Sequence, residues 1–143
     1  MAVAAGLRAS VNAVVGEEDT AIRAGSGDVP VLATPRLLAM AEAATVAAIA
    51  PNLAPGMTSV GTSVSLEHRR ASPVGAEVVV EAELTEVDGR RLVFSFIARE
   101  GGHGAGVSGD EGDGDRVVGA GTVERVLVDR ETFLARAEAA QRP

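Results

Sequence analysis

Between Pro35 and Ala50 the chain is almost wholly apolar, built from Ala, Leu, Met, Val and Ile, with Arg36, Glu42 and Thr45 as its polar members. Thr34-Pro35 opens this stretch as a helix. A Thr side chain can cap a free backbone N–H, and Pro at the first helical position lacks an N–H that would be unpaired there in any case. Ala, Leu and Met are good helix formers. Pro51 and the Ala54-Pro55-Gly56 turn stop the helix. Its apolar residues lie on all sides of the cylinder, which predicts a helix buried within the fold. The run Leu37 to Ala50 is interrupted by Glu42 and is too short to span a bilayer. Such a helix needs other elements to wrap it.

The rest of the chain supplies strands. Leu7 to Val15 reads as a first strand, and Gly16 to Pro30 as a loop with a short helical turn. Thr58 to His68 is β-rich. Glu77 to Val87 alternates, with Val78, Val80, Ala82 and Leu84 on one face and Glu81, Glu83 and Thr85 on the other. Asp88-Gly89 is a hairpin signal. Leu92, Phe94, Phe96 and Ala98 mark the returning strand. Arg116 to Val128 is a last long strand, and Asp129 can cap a C-terminal helix over Arg130 to Gln141, with Phe133, Leu134 and Ala137 on its apolar side. The order is α+β. A nearly apolar helix wrapped by an antiparallel sheet is the hot-dog arrangement; a generic sandwich with the helix on one face is the alternative.

Length and composition fit one globular domain over residues 1–143, with a core that must be aliphatic because the chain has three Phe and no Trp or Tyr. Net charge is −7, which disfavours nucleic acid and anionic membranes as partners. All 13 basic residues are Arg, so lysine chemistry is excluded, yet a local Arg cluster can still hold an anionic ligand. There is no Cys, which removes disulfides, thiol catalysis and thiolate metal sites and fits a cytoplasmic protein. Met1 to Gly6 has neither the basic start nor the apolar run of a signal peptide.

Gly101 to Asp115, rich in Gly and acidic residues, reads as a long flexible hairpin loop. Within it, Gly104 to Gly109 matches a dinucleotide fingerprint as a string. It runs into acidic residues and not into a helix N-terminus, so it lacks the N–H cradle that pyrophosphate needs. Asp110, Glu111, Asp113 and Asp115 do not have the spacing of a calcium loop. No metal and no cofactor is expected, and His103 is expected at the surface.

Glu42 is the most informative residue. A carboxylate among Met40, Ala41, Ala43 and Ala44 is unfavourable unless it is paired, protonated or facing a sliver of solvent. His68 ends a strand before Arg69 and Arg70. Arg125 stands mid-strand among Val123, Val126 and Leu127. Taken singly, Thr34 is a cap, His68 a strand-end histidine and Arg125 a surface arginine.

Together these residues resemble the fluoroacetyl-CoA thioesterase family. The resemblance is carried by Val31 to Thr34 with Leu38 to Ala44, by the turn Ala50 to Gly56, by Gly61-Thr62 through to His68 and by Ser72 to Gly75. Val87 to Leu92 and Gly119 to Arg125 complete it. It implies a hot-dog fold, hydrolysis of an acyl-CoA, and a homodimer, with the choice between dimer and tetramer left open. By position it implies Thr34, Glu42 and His68 as the catalytic group, and Gly61 and Arg125 as substrate contacts. Glu42 would serve as general base or nucleophile, His68 as its proton-transfer partner, and Thr34 would position the carboxylate or the substrate. The stretch Ala24 to Pro30 departs from the family's fluoroacetyl-specific member, which carries a Phe-bearing lid there; this chain has no aromatic residue in it. Two rival activities keep the fold: an enoyl-CoA hydratase, which wants an Asp and His pair close in sequence, and an acyl-CoA binding module that needs no Glu42. Thr34 and Glu42 are eight residues apart, or about 12 Å along an ideal helix. They share a site only if Thr34 folds back before the helix or if the site spans two subunits.

Overall fold

The computed structural model describes residues 2–101 and 116–141. Five strands form one antiparallel sheet: β1 (Arg8–Val14), β2 (Met57–His68), β3 (Glu77–Asp88), β4 (Arg91–Glu100) and β5 (Val117–Asp129), in the order β1-β3-β4-β5-β2. Three α-helices accompany them among the described residues: a single turn α1 (Ala21–Ala24), the long α2 (Thr34–Ile49) and α3 (Arg130–Ala139). The expected α+β order is present, with the sheet curled over one long helix. The Gly101 to Asp115 reading, with its Gly104–Gly109 string and His103, lies outside the described residues from 102 onward.

The core is the aliphatic one that the composition dictates. Val78, Val80, Ala82 and Leu84 of β3 and Leu92, Phe94, Phe96 and Ala98 of β4 face α2, which answers with Leu37, Met40, Ala41, Ala44, Ala48 and Ile49. Each fully buried Leu, Val or Phe among them contributes about 1.5–3 kcal/mol of transfer free energy. β5 lies unusually close to β2: a Cβ on Gly121 would strike the Ser65 backbone carbonyl, so only glycine permits the approach.

Three local expectations change. The helix is not buried all round, because the sheet covers one side only; Pro35, Ala39, Ala43, Val46 and Ala47 remain exposed. Thr34 is not the cap of α2. Ala33 occupies that position without a side-chain capping bond, which leaves the Thr34 hydroxyl for another partner. The β3–β4 turn is centred on Gly89 and Arg90, with Asp88 still paired to Arg91, and Gly89 alone takes a positive φ, +62°. Asp129 does cap α3, accepting from the Thr132 N–H at 3.0 Å, yet α3 buries none of its residues.

Candidate active site

Two groups of candidate residues assemble, one beside Gly61 in the first half of β2 and one at His68, its last residue. In the first, Glu42 projects from the middle of α2 towards Gly61 on β2 and Arg125 on β5, which are register partners. Arg125 Nη1 lies 3.5 Å from Glu42 Oε2. Its guanidinium is buried and held from the far side by Ser59, Nε donating to Ser59 Oγ at 2.8 Å and Nη2 to the Ser59 carbonyl at 3.1 Å. Burial pulls the Arg125 pKa below its ordinary value and the Glu42 charge opposes that shift. Arg125 stays cationic, since guanidinium starts far above neutrality. The Glu42 side chain is 34% exposed, so the carboxylate is not sealed in the apolar helix as its neighbours suggested. It borders solvent and answers a buried cation.

Gly61 leaves the space that the Glu42 carboxylate occupies. A Cβ at this position would collide with Glu42 Oε2 and lie 3.5 Å from Arg125 Nη1. The β2–β5 register slips between Gly61 and Ser63, an irregularity that interrupts the ladder beside the carboxylate. Gly61→Ala is therefore expected to swing the flexible carboxylate aside and cut kcat/KM at least about tenfold, with Tm nearly unchanged. Parallel kinetic and thermal measurements check the pair of outcomes.

The second group is Thr34 and His68. Loop contacts anchor the start of α2 beside the end of β2: the Leu32 N–H donates to the Ser72 carbonyl at 2.9 Å and the Ala33 N–H to the Asp19 carbonyl at 2.9 Å. This places Thr34 Oγ1 2.8 Å from His68 Nδ1. His68 Nε2 is buried without a hydrogen-bond partner among the described residues. Burial lowers the His68 pKa below 6.5, with the Arg70 backbone opposing. The neutral imidazole is thereby favoured. A cavity of about 300 Å³ opens against Thr34 and His68, with Ala21, Val29, Val31 and Leu32 as its apolar wall, Ser26 and Gly27 beside them and Arg69 and Arg70 at its edge. The aromatic-free stretch Ala24 to Pro30 contributes Ser26, Gly27 and Val29 to it.

The two groups do not meet within one chain. Thr34 is helical from its first residue and does not fold back, so about 12 Å of helix separates it from Glu42. Gly61 and His68 are roughly 20 Å apart along β2 by strand rise. Within one chain Thr34 touches His68 and not Glu42. Ser59 was not singled out by the sequence; its one mark is that it precedes Gly61 by two positions and so shares its face.

Comparison with known proteins follows the same residues. The family described as fluoroacetyl-CoA-specific thioesterase matches residues 15–131. The fluoroacetyl-CoA thioesterase of Streptantibioticus cattleyicolor is 39% identical over 106 residues, covering 74% of this chain and 67% of that protein. A solved structure of the fluoroacetyl-CoA thioesterase FlK superposes with a TM-score of 0.82 at 31% identity, over 100% of both chains. A thioesterase superfamily member from Thermus thermophilus (24% identity, TM-score 0.81, 97% and 93% coverage) and a hot-dog-like protein from Thermanaerovibrio acidaminovorans (19%, 0.81, 97% and 93%) share the fold. The chain has the hot-dog fold and belongs to the family of fluoroacetyl-CoA-specific thioesterases.

Proposed function

We propose that the protein is an acyl-CoA thioesterase, releasing free acid and CoA from a small acyl-CoA, at a site that two subunits build together. The observation that carries this reading is the Glu42–Gly61–Arg125 cluster, a solvent-bordering carboxylate fixed by a buried cation beside an interrupted strand. It is joined by family membership.

The sheet supports the reading of a second subunit. The outer edge of β2 has no strand beside it among the described residues, and it is uncharged from Met57 to Leu66. Such an edge is a template for another strand. Two copies of β2 paired antiparallel about a twofold axis between Val64 and Ser65 set Gly61 opposite the partner's His68. The exposed small-residue face of α2, with Ala39, Ala43 and Ala47, lies on the open side of each chain. Each site then takes Glu42, Gly61 and Arg125 from one protomer and Thr34 and His68 from the other.

Hydrolysis needs water activated, an oxyanion held and a thiolate protonated. Glu42 takes the proton of the attacking water, or attacks the carbonyl itself. Backbone N–H groups near Gly61 receive the developing oxyanion. His68 has Nε2 buried and Nδ1 bonded to Thr34, so the neutral imidazole and the Thr34 hydroxyl act as a relay: the proton that Glu42 takes from water is passed on to the departing sulfur, and His68 ends the turnover neutral as it began. The acyl group enters the cavity beside Thr34 and His68, which has no aromatic lid, and this favours small acyl groups other than fluoroacetyl.

A panel of acyl-CoAs assayed for free CoA thiol tests the reading. Hydrolysis of at least one member is expected; binding without turnover would support a carrier or sensor, and hydration of an enoyl-CoA would support a hydratase.

The pH dependence has a definite sign. A neutral His68 is favoured in the fold, so the unfolded chain binds its proton first as pH falls below 6.5. Stability contributed by this group is present above 6.5 and is lost as pH falls through the lower folded value. With only 2 His in the chain, a proton NMR titration resolves His68 directly, and its midpoint is expected below 6.5. A midpoint at or above that value contradicts the burial argument.

A further inference from the structure

The chain has three Phe, and two of them, Phe94 and Phe96, are buried in the sheet. The third, Phe133, is 39% exposed on α3, a helix that buries nothing. Beside it is a polar pocket of about 150 Å³, lined by Arg90, Val128, Asp129, Thr132, Phe133 and Arg136. Neither Arg90 nor Arg136 has a carboxylate at ion-pair distance among the described residues, whereas the adjacent Arg91 is paired with Glu124 at 3.1 Å and Glu86 at 3.7 Å. Asp129, the one carboxylate in the lining, is engaged as the cap of α3. The Arg90 backbone is fixed as well, its carbonyl accepting from the Leu127 N–H at 2.9 Å.

We infer that this pocket holds the nucleotide end of CoA, a deduction that rests on the thioesterase reading above. Two unopposed guanidinium groups in an acidic chain suit phosphate, which arginine binds through paired N–H groups. A half-exposed aromatic face beside them suits a purine ring. The pocket has room for a phosphate group but not for a whole nucleotide, so the ring lies on Phe133 at its rim. The position fits the reaction. Asp129 follows Arg125 by four residues on β5, about 13 Å by strand rise. That is a distance the pantetheine arm spans when the thioester carbon is beside Glu42 and Gly61. Arg90 and Arg136 thus bind the phosphates, and Phe133 stacks the adenine.

The test is the ratio of kcat/KM for an acyl-CoA to kcat/KM for the same acyl group on pantetheine, which keeps the arm and the thioester but lacks the nucleotide. Replacing Arg90→Gln and Arg136→Gln together is expected to lower this ratio at least about tenfold, through a higher KM for the acyl-CoA. Phe133→Ala, on a helix with no buried residue to lose, is expected to lower it severalfold. A ratio unmoved in both variants overturns the pocket. If the unsubstituted protein hydrolyses neither thioester, it is the thioesterase reading that fails. Calorimetric titration with free CoA then judges the pocket: a tenfold higher Kd in the double variant supports it, and an equal Kd overturns it.

Discussion

Glu42→Ala is expected to lower kcat/KM for acyl-CoA hydrolysis by about a hundredfold to ten-thousandfold, the range associated with removing a positioned acid–base group. The effect on folding is expected to be small, for three reasons. Glu42 is partly exposed, so no buried volume is vacated. Alanine is the better helix former at a mid-helix position. Arg125 keeps both hydrogen bonds to Ser59, so its guanidinium is not stranded. Free-thiol release and circular dichroism on the same preparation read the two halves of the prediction. Glu42→Gln preserves shape and removes the charge and the proton acceptor, and the same loss is expected from it. Full activity in either variant would mean that water is activated elsewhere.

The fold was legible because its strongest signals are local and redundant. The apolar run from Pro35 to Ala50, the alternation in β3 and the cap at Asp129 each specify an element from adjacent residues. What failed was local in another way. Thr34 has the chemistry of a cap, but the side chain that competes for its hydroxyl, His68, is brought there by loop pairing between Leu32 and Ser72, which no spacing encodes. The all-round apolar character of α2 suggested complete burial because one sequence does not show how many chains surround a helix. In the proposed dimer a second copy lies against its exposed small-residue face.

The candidate site was legible as a set of residues and not as an arrangement. Glu42 stood out by being charged among apolar neighbours, and Gly61, Arg125, His68 and Thr34 by their resemblance to a family. Their division into two groups needed the structure. The outcome turns on where two elements point: eight residues of straight helix keep Thr34 from Glu42, and seven residues of strand keep His68 from Gly61. Ser59, which fixes Arg125, was missed because one serine in a strand rich in Ser and Thr carries no mark of its own.

The proposed sharing of the site between two subunits makes a prediction with no counterpart in a site made by one chain. Glu42→Ala and His68→Ala protomers are each expected to be inactive alone. In a mixed dimer, one site inherits both substitutions and the other inherits neither. With random exchange half of the dimers are mixed, so about a quarter of all sites regain a full set of residues. The decisive measurement is free CoA release by the two inactive variants after they are unfolded and refolded together, with formation of mixed dimers verified by differential tags. Recovery to about a quarter of the unsubstituted rate is the expected result. Mixed dimers as inactive as either parent would contradict a site completed by Thr34 and His68 of the partner subunit.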